Sequence, residues 1–172
     1  MIYRIKQFMW AINCNFKKID YDYICKFLNN EEINLFNKLK HSDKHHCVRV
    51  CIDCLKIREG KRIDIDKEIL GKVALLHDIG KIQYRLSLVE KVALVILHQI
   101  SRGNLSKLDK IKAVNIYYNH GVRGRELLEK SNGEYNHIFL SAIENHHNNF
   151  VNNNSIHNNQ LLRILVEADN NN

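Results

Sequence analysis

Proline is absent from the 172 residues, glycine occurs only 7 times, and no apolar run approaches the length of a membrane span. All-β sandwiches and barrels turn on glycine and proline, so their scarcity excludes those folds. Without proline, a chain rich in Leu, Ile, Lys and Glu leaves its i→i−4 ladders uninterrupted, which predicts an all-α fold. The most apolar stretch, Val92 to Leu97, is bounded by Lys91 and His98 and falls far short of the ~20 residues a span requires. The run from Phe8 to Ile12, which follows Arg4 and Lys6, is too short for a signal peptide. No membrane partner is expected, and the predicted location is cytoplasmic. A content of 45% hydrophobic and 26% charged residues excludes disorder, and the length suits a single core.

The five cysteines, Cys14, Cys25, Cys47, Cys51 and Cys54, form an odd set with no secretory segment, which predicts free thiols in a reducing compartment. Cys47, Cys51 and Cys54 fall at i, i+4 and i+7, one helical stripe. Zinc would want a further ligand pair that the sequence does not offer, so the stripe is expected to be buried core. The net charge of +7 reads first as general over-use of Lys beside Asn and Ile, and only secondarily as attraction of an anionic substrate. No cationic cluster interleaves with aromatics, so a nucleic-acid partner is not favoured.

Apolar residues recur at three- and four-residue spacing. Helices are predicted at about 2–12, 20–28, 31–40, 43–59, 66–77, 86–101, 108–119, 121–130, 135–147 and 158–169. Asn30 before Glu31-Glu32, and Ser42 before Asp43, read as N-caps, and Gly60 and Gly103 as helix stops. Asn148–Asn159 reads as a polar loop and Asn170–Asn172 as a frayed end, which leaves Asp169 in a labile last turn.

The sharpest local pattern is Leu75-Leu76-His77-Asp78-Ile79-Gly80-Lys81. Adjacent helical residues point about 100° apart, so His77 and Asp78 can reach one metal from neighbouring sides. Imidazole with carboxylate suits Mn, Fe or Zn. Gly80 reads as a tight helix exit, and Lys81 as a point charge for a phosphate oxygen. Alone, the segment reads equally as a helix end whose His and Lys cap carbonyls. It is not alone. Upstream lies His46-Cys47-Val48-Arg49-Val50, and downstream come His120-Gly121, Leu127-Leu128, the pair His146-His147, and Ala168-Asp169.

In order and spacing, from about Asp43 to Asp169, these residues resemble the HD superfamily of metal-dependent phosphohydrolases in its HDIG form. The resemblance implies an HD-domain helical bundle over 41–172, with Met1–Lys40 packed outside it as extra helices. It implies that His46, His77, Asp78 and Asp169 hold one metal, and that Asp78 bridges to a second held by His120, His146 and His147. Two divalent ions are expected, Fe or Mn before Zn, Ni, Co or Mg, activating water against a phosphorus centre. Lys81 resembles the family lysine that contacts substrate phosphate, and Arg123 and Arg125 are candidates for a second phosphate or for solvated surface. His41, His45, His98, His137 and His157 match no ligand position, and His98 is expected at a core boundary.

The pair His146-His147 leads into Asn148-Asn149-Phe150, and no Gly-Tyr-Pro segment occurs, unlike the cyclic-di-GMP phosphodiesterases of the superfamily. The short interval from His147 to Asp169 is similar to that of small HD hydrolases of diadenosine tetraphosphate. The His-His pair resembles that of membrane-anchored cyclic-di-AMP phosphodiesterases. The expectation is therefore hydrolysis of a small nucleotide-type phosphodiester or polyphosphate. Two alternatives stand beside it: a mixed-valent di-iron HD oxygenase, and a non-catalytic HD binding or signalling module.

Overall fold

The computed structural model describes residues 18–84, 86–101, 104–108, 110–131, 133–147 and 159–172. Among them eight α-helices and two 3₁₀ turns occur, and no strand. The helices are α1 (Tyr21–Ile24), α2 (Asn30–Asn37), α3 (His41–Gly60), α4 (Lys67–Leu76), α5 (Leu88–Ile100), α6 (Lys112–Glu129), α7 (His137–Asn145) and α8 (Gln160–Asn170). The 3₁₀ turns span Ile79–Gln83 and Asn104–Leu108. The all-α bundle is as the sequence predicts, with α1 and α2 as extra N-terminal helices. The predicted helix 2–12 and stop at Gly103, and the loop as far as residue 158, lie outside the described residues.

Helix α4 is the axis. Asp66 caps its start by accepting from Glu68 N and Ile69 N at 2.7 and 3.0 Å. Leu70, Val73, Ala74, Leu75 and Leu76 are all fully buried, so the helix is apolar nearly all round and must be enclosed by neighbours. Helices α3, α7 and α8 supply that enclosure. From α3 come Cys47, Val50, Cys51 and Cys54, all fully buried, so the cysteine stripe is core as expected. Ile24, Leu28, Phe36 and Leu39 join the same core from the N-terminal segment. A smaller core of Leu86, Leu94, Leu105, Val114 and Ile116 lies under α5. There His98 meets the Tyr118 hydroxyl at 2.5 Å, the boundary position expected of it. No helix among the described residues is long and apolar enough to cross a membrane.

Four local expectations are corrected. The N-cap of α2 is Asn29 rather than Asn30: its side chain accepts from Glu32 N while Glu32 accepts from Asn29 N, a reciprocal capping box. Helix α3 begins at His41, so Ser42 lies inside it rather than capping it. Residues 112–129 form one helix, not two broken near His120. Glycine there serves close packing: a Cβ on Gly121 would strike the Glu144 carbonyl, and one on Gly80 would strike the His120 carbonyl. Gly80 therefore lets the 3₁₀ turn press onto α6, and its backbone lies outside the left-handed region. Finally, the C-terminus is tied down: Asn172 is buried and donates to Asp53 Oδ2 at 2.8 Å and Ala168 O at 3.0 Å. Gly60 does end α3, as expected.

Backbone-to-backbone contact cannot relax as a side-chain clash can, so Gly80→Ala should lower unfolding free energy by about 2 kcal/mol or more. Gly60→Ala has open space around it and should change stability by less than about 1 kcal/mol. Urea denaturation of the two variants beside the parent protein measures both.

Candidate metal centre

The end of α4 delivers His77 and Asp78 into the middle of the bundle, where both are fully buried. Helix α3 brings His46, α6 brings His120, the end of α7 brings His146 and His147, and α8 brings Asp169. All seven residues predicted as ligands converge on one point. Asp78, His120, His146 and His147 present donor atoms within 4.8 Å of one another, and so do His46, His77 and Asp169. The Asp78 carboxylate stands between the two groups. Its Oδ1 lies 3.3 Å from His120 Nε2 and 3.7 Å from His146 Nε2. Its Oδ2 lies 3.6 Å from His77 Nε2 and 3.8 Å from His46 Nε2. Asp169 makes a second link, 2.9 Å from His46 Nε2 through Oδ1 and 3.6 Å from His147 Nδ1 through Oδ2.

Hydrogen bonds on the far side of three rings fix which nitrogen faces inward. His77 Nδ1 donates to Ala74 O at 2.8 Å, His120 Nδ1 to Ile116 O at 3.0 Å, and His146 Nδ1 to Ile143 O at 2.6 Å. A carbonyl only accepts, so each Nδ1 carries the proton and a neutral ring leaves its Nε2 as a lone pair. Burial drives His77 down to about 4 and lowers His120 as well, so both rings are neutral at pH 7. Their Nε2 atoms, with His146 Nε2 and Asp78 Oδ1, are buried and have no hydrogen-bond partner. Three lone pairs aimed at a carboxylate are a costly arrangement for a protein interior unless a cation sits among them. The donor set, imidazole with carboxylate, fits first-row divalent metals.

Electrostatics point the same way. Burial alone would raise the carboxylates, yet Lys81 and His77 hold Asp78, and His46 holds Asp169, well below the usual range. Both are ionised, and Lys81 Nζ lies 2.5 Å from Asp78 Oδ2. Burial opposes the charge of Lys81, but Asp78 and then Asp43 raise its pKa overall. Lys81 thus stands against Asp78 rather than projecting toward solvent. His46, Lys81 and His147, whose side chains are 18, 22 and 46% exposed, mark the open side of the cluster.

The remaining candidates fall elsewhere. Arg125 pairs with Glu129 and Glu144 at 2.9 and 2.6 Å, an exposed ion-pair group on α6 and α7 and not part of the cluster. Arg123 is held by the side chains of Asn115 and Gln83. His45 turns to His41, their Nε2 atoms 3.2 Å apart, and leaves His46 to the site. His137 opens α7, and His157 lies outside the described residues. Cys51 and Cys54 join no candidate metal group among the described residues, whereas the Cys47 thiol falls within 4.8 Å of donor atoms of His77 and Asp78. The i, i+4, i+7 stripe predicts Cys47 as core alone. Its stripe correctly signals burial, and nothing in that spacing separates a core thiol from one beside a polar cluster.

The sequence profile of the HD domain family matches residues 44–170. The chain belongs to the HD domain family. No curated protein and no solved structure matches it. Membership places this HD domain in a superfamily of metal-dependent hydrolases, with its His/Asp cluster at the point where the helices meet.

Two measurements bear on the cluster. His77 has a folded pKa of about 4 against 6.5 unfolded, so the fold favours its neutral form. Its contribution is fully present above pH 6.5 and is lost as pH falls toward 4. Metal-free protein should therefore lose on the order of 3 kcal/mol across that window, read from urea midpoints at several pH values. Burial raises the thiol of Cys51 to about 11 and holds those of Cys47 and Cys54 well above the ordinary thiol range. In the native protein exposed Cys25 should label with an aromatic disulfide reagent, and these three should not until the chain unfolds. Mass-spectrometric mapping of labelled peptides distinguishes them.

Proposed function

We propose that this HD domain is a metal-dependent phosphohydrolase that holds two divalent ions and cleaves a nucleotide-type phosphodiester or polyphosphate. The observation that carries the reading is the inward set of unpartnered Nε2 atoms around Asp78. With Nδ1 committed to a carbonyl, the neutral rings of His77 and His120 have no proton to offer Asp78, whereas a cation among them would be met by their inward lone pairs. His46, His77, Asp78 and Asp169 would hold one ion. His120, His146 and His147 would hold the other, with Asp78 shared, as its two oxygens face the two halves. Two carboxylates against one ammonium leave the cluster short of positive charge, which favours a pair of divalent ions over none. Iron or manganese suits the mixed nitrogen and oxygen donors.

Divalent ions held there supply Lewis acidity toward phosphoryl oxygens and bring hydroxide within reach near neutral pH. The chain's own residues do the rest. The Nδ1–H···O=C bonds keep the rings in register, so the histidines need not reorganise when substrate arrives. Lys81, at the open side, is placed to exchange Asp78 for a phosphate oxygen once metal charge competes for that carboxylate. Arg125 is occupied by two glutamates and has no part in this reading.

Elemental analysis of the purified protein should find about two transition-metal ions per chain. Asp78→Ala should lose bound metal, and its hydrolysis of bis-p-nitrophenyl phosphate should fall by more than the ~10–100-fold that a ligand's outer partner costs. Its far-UV circular dichroism should stay helical. Turnover equal to the parent's would overturn the proposal. Stoichiometric iron with oxygen uptake and no hydrolysis would assign the site to oxygenase chemistry instead.

A further inference from the structure

Beside the His/Asp cluster lies a cavity of about 300 Å³ walled by Gln83, Tyr84, Lys110, Lys112, Asn115 and Arg123. Among the described residues of its wall, three are cationic and none is a carboxylate. Among the described residues Lys110 and Lys112 form no ion pair. Arg123 is held differently. Its Nε and Nη2 donate to Asn115 Oδ1 at 3.1 and 2.7 Å, and its Nη1 donates to the Gln83 side chain. Those partners are neutral amides, so they fix the guanidinium without cancelling its charge. Glu90 accepts from the hydroxyl of Tyr84, in this wall, and from Ser87 N.

The backbone adds to the same field. Lys112 opens the 18-residue helix α6, and the N-cap residue Ile111 makes no side-chain cap bond. The first-turn N–H groups therefore keep their donors, and the positive end of the helix dipole adds to the lysines. Cationic side chains in a concavity beside an uncapped helix start are the ingredients of a phosphate site.

Position ties the cavity to the cluster. Ile116, also in its wall, His120 and Arg123 fall at i, i+4 and i+7, one stripe of α6. The Ile116 carbonyl itself accepts from His120 Nδ1. On the facing 3₁₀ turn, Gln83 lies two residues beyond Lys81. Along α6, His120 thus lies ~6 Å beyond Ile116 in the cavity wall and ~12 Å beyond Lys112 at the helix start.

We infer that this cavity is a phosphoryl-binding subsite for a second phosphate of the substrate, recognised by Lys110, Lys112, Arg123 and the start of α6. Resting on the hydrolase reading for the identity of the ligand, it selects molecules with two phosphoryl groups, dinucleotides or nucleoside polyphosphates, over simple monoesters. The anion-binding property itself requires no turnover.

The test is a two-dimensional ¹H–¹⁵N NMR titration of the purified, metal-bearing protein with inorganic phosphate at constant ionic strength. Saturable shifts are expected at the amides of Lys112, Ala113 and Val114 and at Arg123 Nε–H. In the Lys110→Gln/Lys112→Gln double variant the affinity read at those signals should fall about tenfold or more, as loss of charge-assisted bonds requires. Arg123→Gln should weaken it likewise. Absence of saturable shifts there, unchanged affinity in the double variant, or equal shifts from sodium chloride would each overturn the subsite. Hydrolysis is not read in this experiment. A protein that binds phosphate here yet cleaves nothing would refute the hydrolase and leave the anion site standing.

Discussion

Three hydrogen bonds from histidine Nδ1 to helix carbonyls decide what the centre of this protein is. Those of His77, His120 and His146 each reach back three or four residues along the chain, to carbonyls whose second lone pair can accept a further donor. The bond fixes the tautomer, the tautomer points a lone pair inward, and the inward lone pairs surround a carboxylate that the protein keeps ionised. Everything else follows from accommodating that unfavourable point. Helix α4 ends there, the 3₁₀ turn begins there, and Lys81 leans over Asp78 as a cation from the chain itself. An apolar core that tolerates such a cluster has been shaped around it, because an uncompensated set of this kind costs several kcal/mol.

The geometry depends on how near the main chains can come. Gly80 allows the turn after Asp78 to touch the backbone of α6, and Gly121 allows α6 to touch the end of α7. These approaches set the spacing of Asp78 from His120, and of His120 from His146, at 3 to 5 Å: the Asp78 Oδ1–His120 Nε2 distance is 3.3 Å and the two ring centroids are 5.1 Å apart. With side chains at those positions the helices would stand farther off, and the two halves of the donor set could not share one carboxylate. Packing is therefore a condition of the chemistry and not merely its scaffold. The same logic applies at α8, where Asn172 anchors the last turn to Asp53 and so holds Asp169 in place.

Much of this was legible in the sequence, for physical reasons. Residues of one metal cluster must be of a few types and must lie where buried helix faces meet, so His46, His77-Asp78, His120, His146-His147 and Asp169 stood out together even though each alone reads as a cap or a core histidine. The choice of His46 over its neighbour His45 depended on register, and the structure turns the two in different directions. What the sequence hid is context. Gly121 next to a histidine looks like a helix break, because propensity counts the entropy of glycine and not the neighbour that requires it. Three terminal asparagines look frayed, because the tertiary hydrogen bond that ties Asn172 down is made to Asp53, 119 positions away. Cys47 looks like a small apolar group, and it is one, but its helix also carries His46 into the cluster.

The surplus of positive charge acquires a meaning from its distribution. A net charge of +7 spread evenly over a surface would say little beyond solubility. Here the strongly paired cations stand apart from the unpaired ones. Arg125 and Lys61 are held by glutamates on the surface, and Lys72 is held by buried Glu32. Lys110, Lys112 and Arg123 keep their charge in a concavity whose wall runs along α6, the helix that carries His120. Such a field acts on an anion before any metal does. On the proposed reading, attraction of a phosphorylated ligand to α6 and inward alignment of its other phosphate would be two consequences of one helix, whose uncapped start would receive the charge and whose middle carries His120.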